Sequence, residues 1–300
     1  MVEKIKKISG GLLKTPADKR DFSYTKVFGA IPLAELPEED FMVAEAIKVE
    51  NQKESDFCTA YGSSSVSEDQ EDIDLDPLYT FAKTKQIMGD WKGWGADLRT
   101  AMKAGVKFGF LEKKDSLYTI DDERDKISNW NNWPVELDEK AAPYRKHSYF
   151  KVDGPYNTFD SFRAFLWANR AKKQSILTGV MWRSEWIEAK NGIIPNFPSV
   201  PMFGHAFKIC GQKTIEHELY LVAVLSNGEE IGDKGIFYFN RLVANRDFTY
   251  GGYVFNDMMA AEAKKKSWNW YQKILGIIQS FLKQQNTSDN IGMAWMNKFL

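Results

Sequence analysis

Cysteine is scarce in this chain. Cys58 and Cys210 are the only two in 300 residues, too few for a disulfide framework, which fits a reducing compartment or simple indifference to oxidation. Histidine is scarcer than chance would suggest: only three are present. His147 and His217 have no Cys or His at metal-ligand spacing, so both are read as surface residues and no metal is implied. Charge of one sign is missing too. Forty Lys and Arg against 41 Asp and Glu leave a net charge of -1, which gives no field that would gather nucleic acid or an anionic membrane. Nowhere do ~18 uncharged apolar residues occur together. The start, Met1 to Leu13, is basic but holds no apolar run of signal-peptide length. The expectation is a soluble, unexported protein without an integral membrane segment, cytoplasmic or, for a phage source, associated with the virion. Internal repeats and low-complexity tracts are absent as well.

What is present is a globular composition. Forty-three per cent hydrophobic and 14% aromatic residues can bury a substantial core, and the length suits one large domain or two fused halves. Residues 1–50 read as an extended leader wrapping a body formed later, because Pro16, Pro32 and Pro37 interrupt every helix and apolar residues come singly. After Cys58 a helical pattern (Tyr61, Ser65, Val66) runs into an acidic stretch from Glu68 to Asp76, read as a solvated loop. A helix then starts near Pro77 with Leu78, Phe81, Ala82 and Lys85 on its spacing. Gly89 to Gly95 is a glycine and tryptophan loop, and Asp97 caps a helix through Leu98, Ala101, Met102 and Val106 to Gly109. From 111 to 157 the chain reads as irregular, and Phe159 to Ala171 as an amphipathic helix.

The pattern then changes. Ser175 to Trp182, His205 to Cys210, Glu218 to Leu225, Gly235 to Phe239 and Gly252 to Phe255 are short β-prone runs bounded by Gly, Asn and Pro. A helical half followed by an antiparallel sheet half gives an α+β architecture of two lobes, with a cleft between them as the natural place for a site. Trp91, Trp94, Trp182 and Trp186 are either packing residues or the lining of a pocket. In the tail, residues 259–300, Tyr271, Ile274, Leu275, Ile278, Phe281 and Leu282 make an apolar stripe. It reads as an amphipathic helix docking on the body or on a protein partner, with a membrane-surface helix as the alternative.

The chemistry-bearing residues are Gln52, Cys58 and the Gly204-His205-Ala206 run. A thiol is a strong nucleophile only as thiolate, so it needs a nearby base or imidazolium, and the acyl oxyanion it creates needs donors aimed at it. Gln, Cys and His in this order supply all three. Singly, each has a plainer reading: Cys58 as a small buried hydrophobe, His205 as a hydrogen-bonded core residue. Cys210 reads as core.

Together these residues resemble the papain-like cysteine peptidases, the cathepsins among them. Gln52 stands six positions ahead of Cys58, and His205 follows at the ~130 to 150 residue spacing of that family. Cys58-Thr59-Ala60 is similar to the variant of bacterial and phage members. Gly93-Trp94-Gly95-Ala96-Asp97 is similar to the family's glycine loop, and the stretch from Gly228 to Tyr238 resembles the loop and strand after its orienting asparagine. The resemblance covers roughly residues 15 to 258. It implies a papain-like two-lobed fold over 51–258, with a helical lobe (about 51–150), an antiparallel sheet or barrel lobe (about 151–258) and the active site in the cleft.

By that resemblance Cys58 is the nucleophile of a cysteine-type peptidase, favoured as thiolate by the helix amino terminus and by His205 as imidazolium partner. His205 also protonates the leaving amine, and Gln52 with the Cys58 amide forms the oxyanion hole. Gly95, Ala96 and Gly204 let a peptide or protein substrate approach the backbone, and no cofactor is needed. Ser55 stands where cathepsins carry a disulfide cysteine. One departure bears on activity: aligning Gly228 and Gly232 puts Leu225 where the family has its imidazole-orienting asparagine. Asn227 lies two positions on, facing the same side of an ideal strand, and is the candidate replacement. Two other readings stand beside the peptidase. One is a catalytically weakened papain-like binding or structural protein, of phage or mobile-element origin. The other is a Cys-His amidase or transferase acting on a non-standard amide bond. Any latency is expected to reside in residues 1–50.

Overall fold

The computed structural model describes residues 9–18, 21–44, 47–197 and 199–256. The carboxy-terminal stripe and its docking role therefore lie outside the described residues. Four helices make most of one lobe: α2 (Cys58–Glu71), α3 (Pro77–Met88), α4 (Leu98–Lys107) and the short α5 (Arg124–Ser128), preceded in the chain by α1 (Tyr24–Phe28). Their ends follow local rules. The Asp76 carboxylate accepts the Leu78 amide ahead of Pro77 at the first helical position, and Gly89 closes α3 in the left-handed region at φ 71°. The Asp97 carboxylate caps α4 through the Thr100 amide.

Helix α2 differs from the sequence reading in length. It runs through Glu68, Asp69, Gln70 and Glu71, and the acidic loop begins only at Asp72, which takes φ 60° as the cap. The reason is tertiary. Asp69 is buried against Lys208, with Nζ 2.8 Å from its carboxylate, so the acidic stretch carries a buried ion pair across the lobes. Small residues dominate the helix, and its flanks are buried on nearly all sides. Ser64 and Thr80 hydroxyls bond across to α3 at 3.1 Å.

The other lobe is a seven-stranded antiparallel sheet among the described residues. Its order is β4 (Ser148–Val152), β9 (Gly252–Asn256), β5 (Ile176–Arg183), β6 (Pro201–Ile215), β7 (Glu218–Val224) and β8 (Ile236–Asn240), with β2 (Phe41–Met42) beside β6. Strand β6 extends well beyond the short His205–Cys210 run, because it pairs with β5 on one side and β7 on the other along its length. Residues 111–157, expected to be irregular, hold α5, α6 (Glu136–Ala141) and β4, and the expected 159–171 helix is α7 (Thr158–Asn169). Trp182, Trp186, Phe207, Phe237 and Phe239 fill the sheet core, while Phe57, Tyr79, Phe81 and Leu111 fill the helical one.

A third apolar cluster joins the two. Cys58, Leu98, Leu177, Ala206 and Tyr253 meet there around Leu12 of the leader. Leu12–Leu13 (β1) pairs parallel with Ala96–Asp97 (β3). Further along, Arg99 holds Asp21 at 2.7 Å, α1 follows with Ser23 as its cap, and β2 adds to the sheet. Pro16 and Pro32 leave room between them for that one short helix. Among the described residues no helix is long and apolar enough to cross a membrane.

Candidate active site

The groove between the lobes is built from four backbone pieces. Cys58 opens α2, with its sulfur at the helix amino terminus, where the dipole favours negative charge. The same sulfur receives hydrogen bonds from the Ala206 backbone on β6 and from the Gly11 amide, the latter at 3.3 Å. His205 precedes Ala206 on that strand, and the leader touches both side chains, with the Gly11 amide at the sulfur and the Ser9 carbonyl at the ring. The imidazole is walled by Trp182, with ring centroids 5.8 Å apart and edge to face. Its Nδ1 lies 3.1 Å from the Ser9 carbonyl oxygen.

Gln52 is fully buried. Its amide orientation is set by Ser226, whose hydroxyl donates to Oε1 at 2.6 Å, which leaves Nε2 to donate to the Ser9 carbonyl at 3.2 Å and the Ser55 carbonyl at 2.8 Å. Ser226 also receives the Gln52 amide on its carbonyl at 2.7 Å. The Asn51–Asn227 bridge continues this pairing. It brings the Asn227 side chain into hydrogen-bonding contact with the His205 ring, where it pulls the imidazole pKa upward. Leu225, by contrast, is buried in the sheet core.

The leader fills the groove. Ala96 donates its amide to the Gly11 carbonyl at 2.8 Å, and Trp94 donates its indole N–H to the Gly10 carbonyl at 3.0 Å. A Cβ on Gly10 would lie 2.2 Å from the Gly204 carbonyl oxygen, and one on Gly11 would lie 2.0 Å from the Asp56 carbonyl oxygen. Only glycine threads there. Gly95, at φ 69°, and Gly204 meet the leader as closely, each within about van der Waals overlap of a leader carbonyl if it carried a side chain. All three expected backbone-approach residues thus face the leader strand. Of the four tryptophans, Trp182 and Trp186 are core, while Trp94 sits exposed over the groove.

Burial shifts both groups toward their neutral forms. Desolvation pushes the Cys58 thiol up to about 11, against the pull of the Ala206 and Gly11 amides. Desolvation also lowers His205 to about 4, opposed by the Ser9 carbonyl and Asn227. In this closed arrangement burial favours the neutral thiol and the neutral imidazole. Cys210 is buried in the sheet core and pushed up to about 12 by desolvation, while His147 and His217 are exposed. Glu50, Glu68 and Asp74 gather closely enough to share a cation, but the Lys48 ammonium sits among them, 3.4 Å from Glu68 and closer to the others.

Several groups at the groove escaped the sequence analysis: Ser9, Gly10 and Gly11 in the leader, Ser226, and the Asp56 and Arg124 pair. The signal for Ser226 was its place next to Asn227. The leader glycines carried none, since a glycine pair near a terminus reads as flexible chain.

Neither a family model nor a curated protein sequence matches the chain. Solved structures do. Xylellain, a cysteine protease from Xylella fastidiosa, is 20% identical over 84% of this chain and 97% of its own, with a TM-score of 0.68. Digestive procathepsin L2 proteinase from Tenebrio molitor larval midgut is 18% identical over 85% and 79%, with a TM-score of 0.63. Bromelain protease from Ananas comosus is 16% identical over 73% and 99%, with a TM-score of 0.53. The two lobes, the helix that opens on Cys58 and the sheet that carries His205 are thus arranged in the papain-like cysteine protease fold.

Proposed function

We propose that this chain is a cysteine-type peptidase that works through a thioester acyl-enzyme, and that residues 9–13 hold it in a latent state. The observation that carries the reading is the main-chain carbonyl of Ser9. It is held by Gln52 Nε2 and faces His205 Nδ1, while the Gly11 amide two residues on touches the Cys58 sulfur. An extended polypeptide therefore fits the groove within reach of a thiol, an imidazole and an oxyanion donor. Leu12 adds a preference: its side chain is buried among Leu98, Leu177, Ala206 and Tyr253. A substrate with an aliphatic side chain would take that place once the leader leaves.

In the reaction, Cys58 Sγ attacks the substrate carbonyl carbon and its proton resides on the imidazole. Gln52 Nε2 and the Cys58 amide hold the oxyanion. His205 then passes the proton to the departing amine, leaving a thioester. Water, deprotonated by the same imidazole, hydrolyses the thioester and returns the thiol. Asn227 steadies the ring in place of a residue at 225. Labelling with a peptidyl vinyl sulfone between pH 5 and 8 tests the reading: Cys58→Ala should abolish it, and absence of Cys58-dependent labelling after the leader is displaced would favour the binding-protein alternative. A peptide library with amine acceptors then separates a peptidase from an amidase or transferase.

Two substitutions probe the supporting groups. Gln52→Ala should slow acylation by ~10², and Ser226→Ala, which frees the amide to turn over, by about tenfold; both are read as kcat with KM little changed. Asn227→Ala should cost about tenfold in kcat by loosening the ring, whereas Leu225→Asn should only destabilise, since it buries an amide in an apolar core. Unchanged turnover in Asn227→Ala together with a gain in Leu225→Asn would reverse the assignment.

A further inference from the structure

The loop that grips the leader is itself held by a buried charge network. Asp56, two residues ahead of Cys58, is fully buried and its carboxylate accepts the Gly95 amide. Arg124 from α5 forks onto the same carboxylate, at 3.1 Å through Nε and 2.7 Å through its second amino group. Its remaining N–H groups reach the Trp91 carbonyl at 3.1 Å, the Lys92 carbonyl at 3.3 Å and the Gly93 carbonyl. From α3 the Lys85 ammonium, on a fully buried side chain, donates to the Gly93 and Gly95 carbonyls at 2.8 and 3.1 Å. Two cations and one carboxylate thus take up the inward-facing groups of residues 91–95. The outward-facing ones, the Ala96 amide and the Trp94 indole, are left to hold a peptide backbone. Arg124 also lies under the Trp94 ring, 5.7 Å from its centroid.

We propose that Asp56, Arg124 and Lys85 are positioning residues for substrate: they fix the 91–96 loop relative to the helix end that carries Cys58, so that an extended peptide is gripped in register with the thiol. The inference rests on the peptidase reading for the identity of the peptide, not for the geometry. The Asp56 carboxylate ties the helix end to the loop both directly, through the Gly95 amide, and through the Arg124 fork. A misplacement of a gripping loop by ~1 Å can cost ~10² in reaction efficiency. Asp56 has a second effect on the site: its charge raises the Cys58 thiol. The titratable groups that act on that sulfur are Asp56 and Tyr250.

The test uses the full chain carrying Gly10→Val and Gly11→Val, which displaces the leader without touching the body. Arg124→Gln, Arg124→Lys, Asp56→Asn and Lys85→Met are added singly. Two reactions at Cys58 are followed from pH 5 to 9, one with a peptidyl vinyl sulfone bearing an aliphatic residue, one with iodoacetamide. Arg124→Gln should weaken the vinyl sulfone by ~10 to 10² through its binding constant rather than its maximal rate, with part of the loss restored in Arg124→Lys and a similar loss in Lys85→Met. The iodoacetamide profile should move to lower pH in Asp56→Asn and to higher pH in Arg124→Gln. Equal losses on both reagents, or an unchanged binding constant, would overturn the inference. If the parent fails to react with the vinyl sulfone yet alkylates with iodoacetamide, the peptidase reading fails instead. The inference is then decided by equilibrium binding of the peptide Ser-Gly-Gly-Leu-Leu, which must still weaken by about tenfold in Arg124→Gln.

Discussion

Replacing Gly10 and Gly11 with valine should raise the rate of Cys58 labelling by a thiol-directed peptide probe by ~10² or more at pH 7. Both substitutions drive a side chain into backbone oxygen at about 2 Å, and backbone cannot step aside as a flexible side chain can. The leader's alternatives are to leave the groove or to strain it. Leaving costs the burial of Leu12, roughly 2 kcal/mol, and the hydrogen bonds at Ala96, Trp94, Gln52 and Cys58, about 1 kcal/mol each. Those sums are small beside two backbone overlaps. A rate that stays at the wild-type level would show that the leader does not govern access.

The same contacts fix a pH dependence in the wild-type chain. His205 is depressed to about 4 by burial, so its neutral form is what the leader tolerates. The closed state therefore keeps its full advantage above the ordinary imidazole range near 6.5. It loses that advantage as the pH falls through 6.5 toward 4. The raised thiol acts on the other side: the closed state favours the protonated sulfur and is weakened as the pH climbs from about 9 toward 11. Closure should be firmest between about 6.5 and 9. Labelling of wild type should therefore increase relative to the valine variant as the pH falls from 6.5 to 5, a trend opposite to that of a free thiol.

The order of Gln52, Cys58 and His205, and the switch from helical to strand patterning, were legible because they depend on local spacing and on residue type. The α+β two-lobed fold followed from them. What stayed hidden is what depends on distant partners. Nothing local marks Asp56 or Arg124, and only a fold that brings them together pairs them. Asp69 and its neighbours read as a loop because nothing local announces Lys208. The glycine pair at 10–11 sits in a stretch read only as extended leader, although it passes where the groove has no space for a Cβ. Leu225 drew attention by aligning two glycines, Gly228 and Gly232, across a turn. That alignment fixes the turn but not which side chain ahead of it meets the ring: β7 ends at Val224, and Asn227, beyond that end, contacts the imidazole while Leu225 is buried in the sheet core.

In the leader-displaced chain, His205→Ala should lower peptide turnover by ~10⁴, the upper end of what a positioned acid and base contributes. In the proposed mechanism the imidazole has two tasks that no neighbour can take over. It must accept the thiol proton, and the other titratable groups that act on the sulfur are Asp56, whose negative charge disfavours the thiolate, and Tyr250, whose own phenol is raised by burial. It must also return a proton to the departing amine, and Nδ1 is the ring atom that faces the carbonyl now held by Gln52. Without the ring, the thiol should titrate as a single group, so the bell-shaped profile of the parent should become a simple rise with pH. Iodoacetamide at pH 9.5 should still alkylate Cys58 in the variant, because that reaction needs thiolate but no proton donor. A variant that keeps the bell, or that loses alkylation and turnover together at alkaline pH, would mean that His205 holds the groove in shape instead of moving protons.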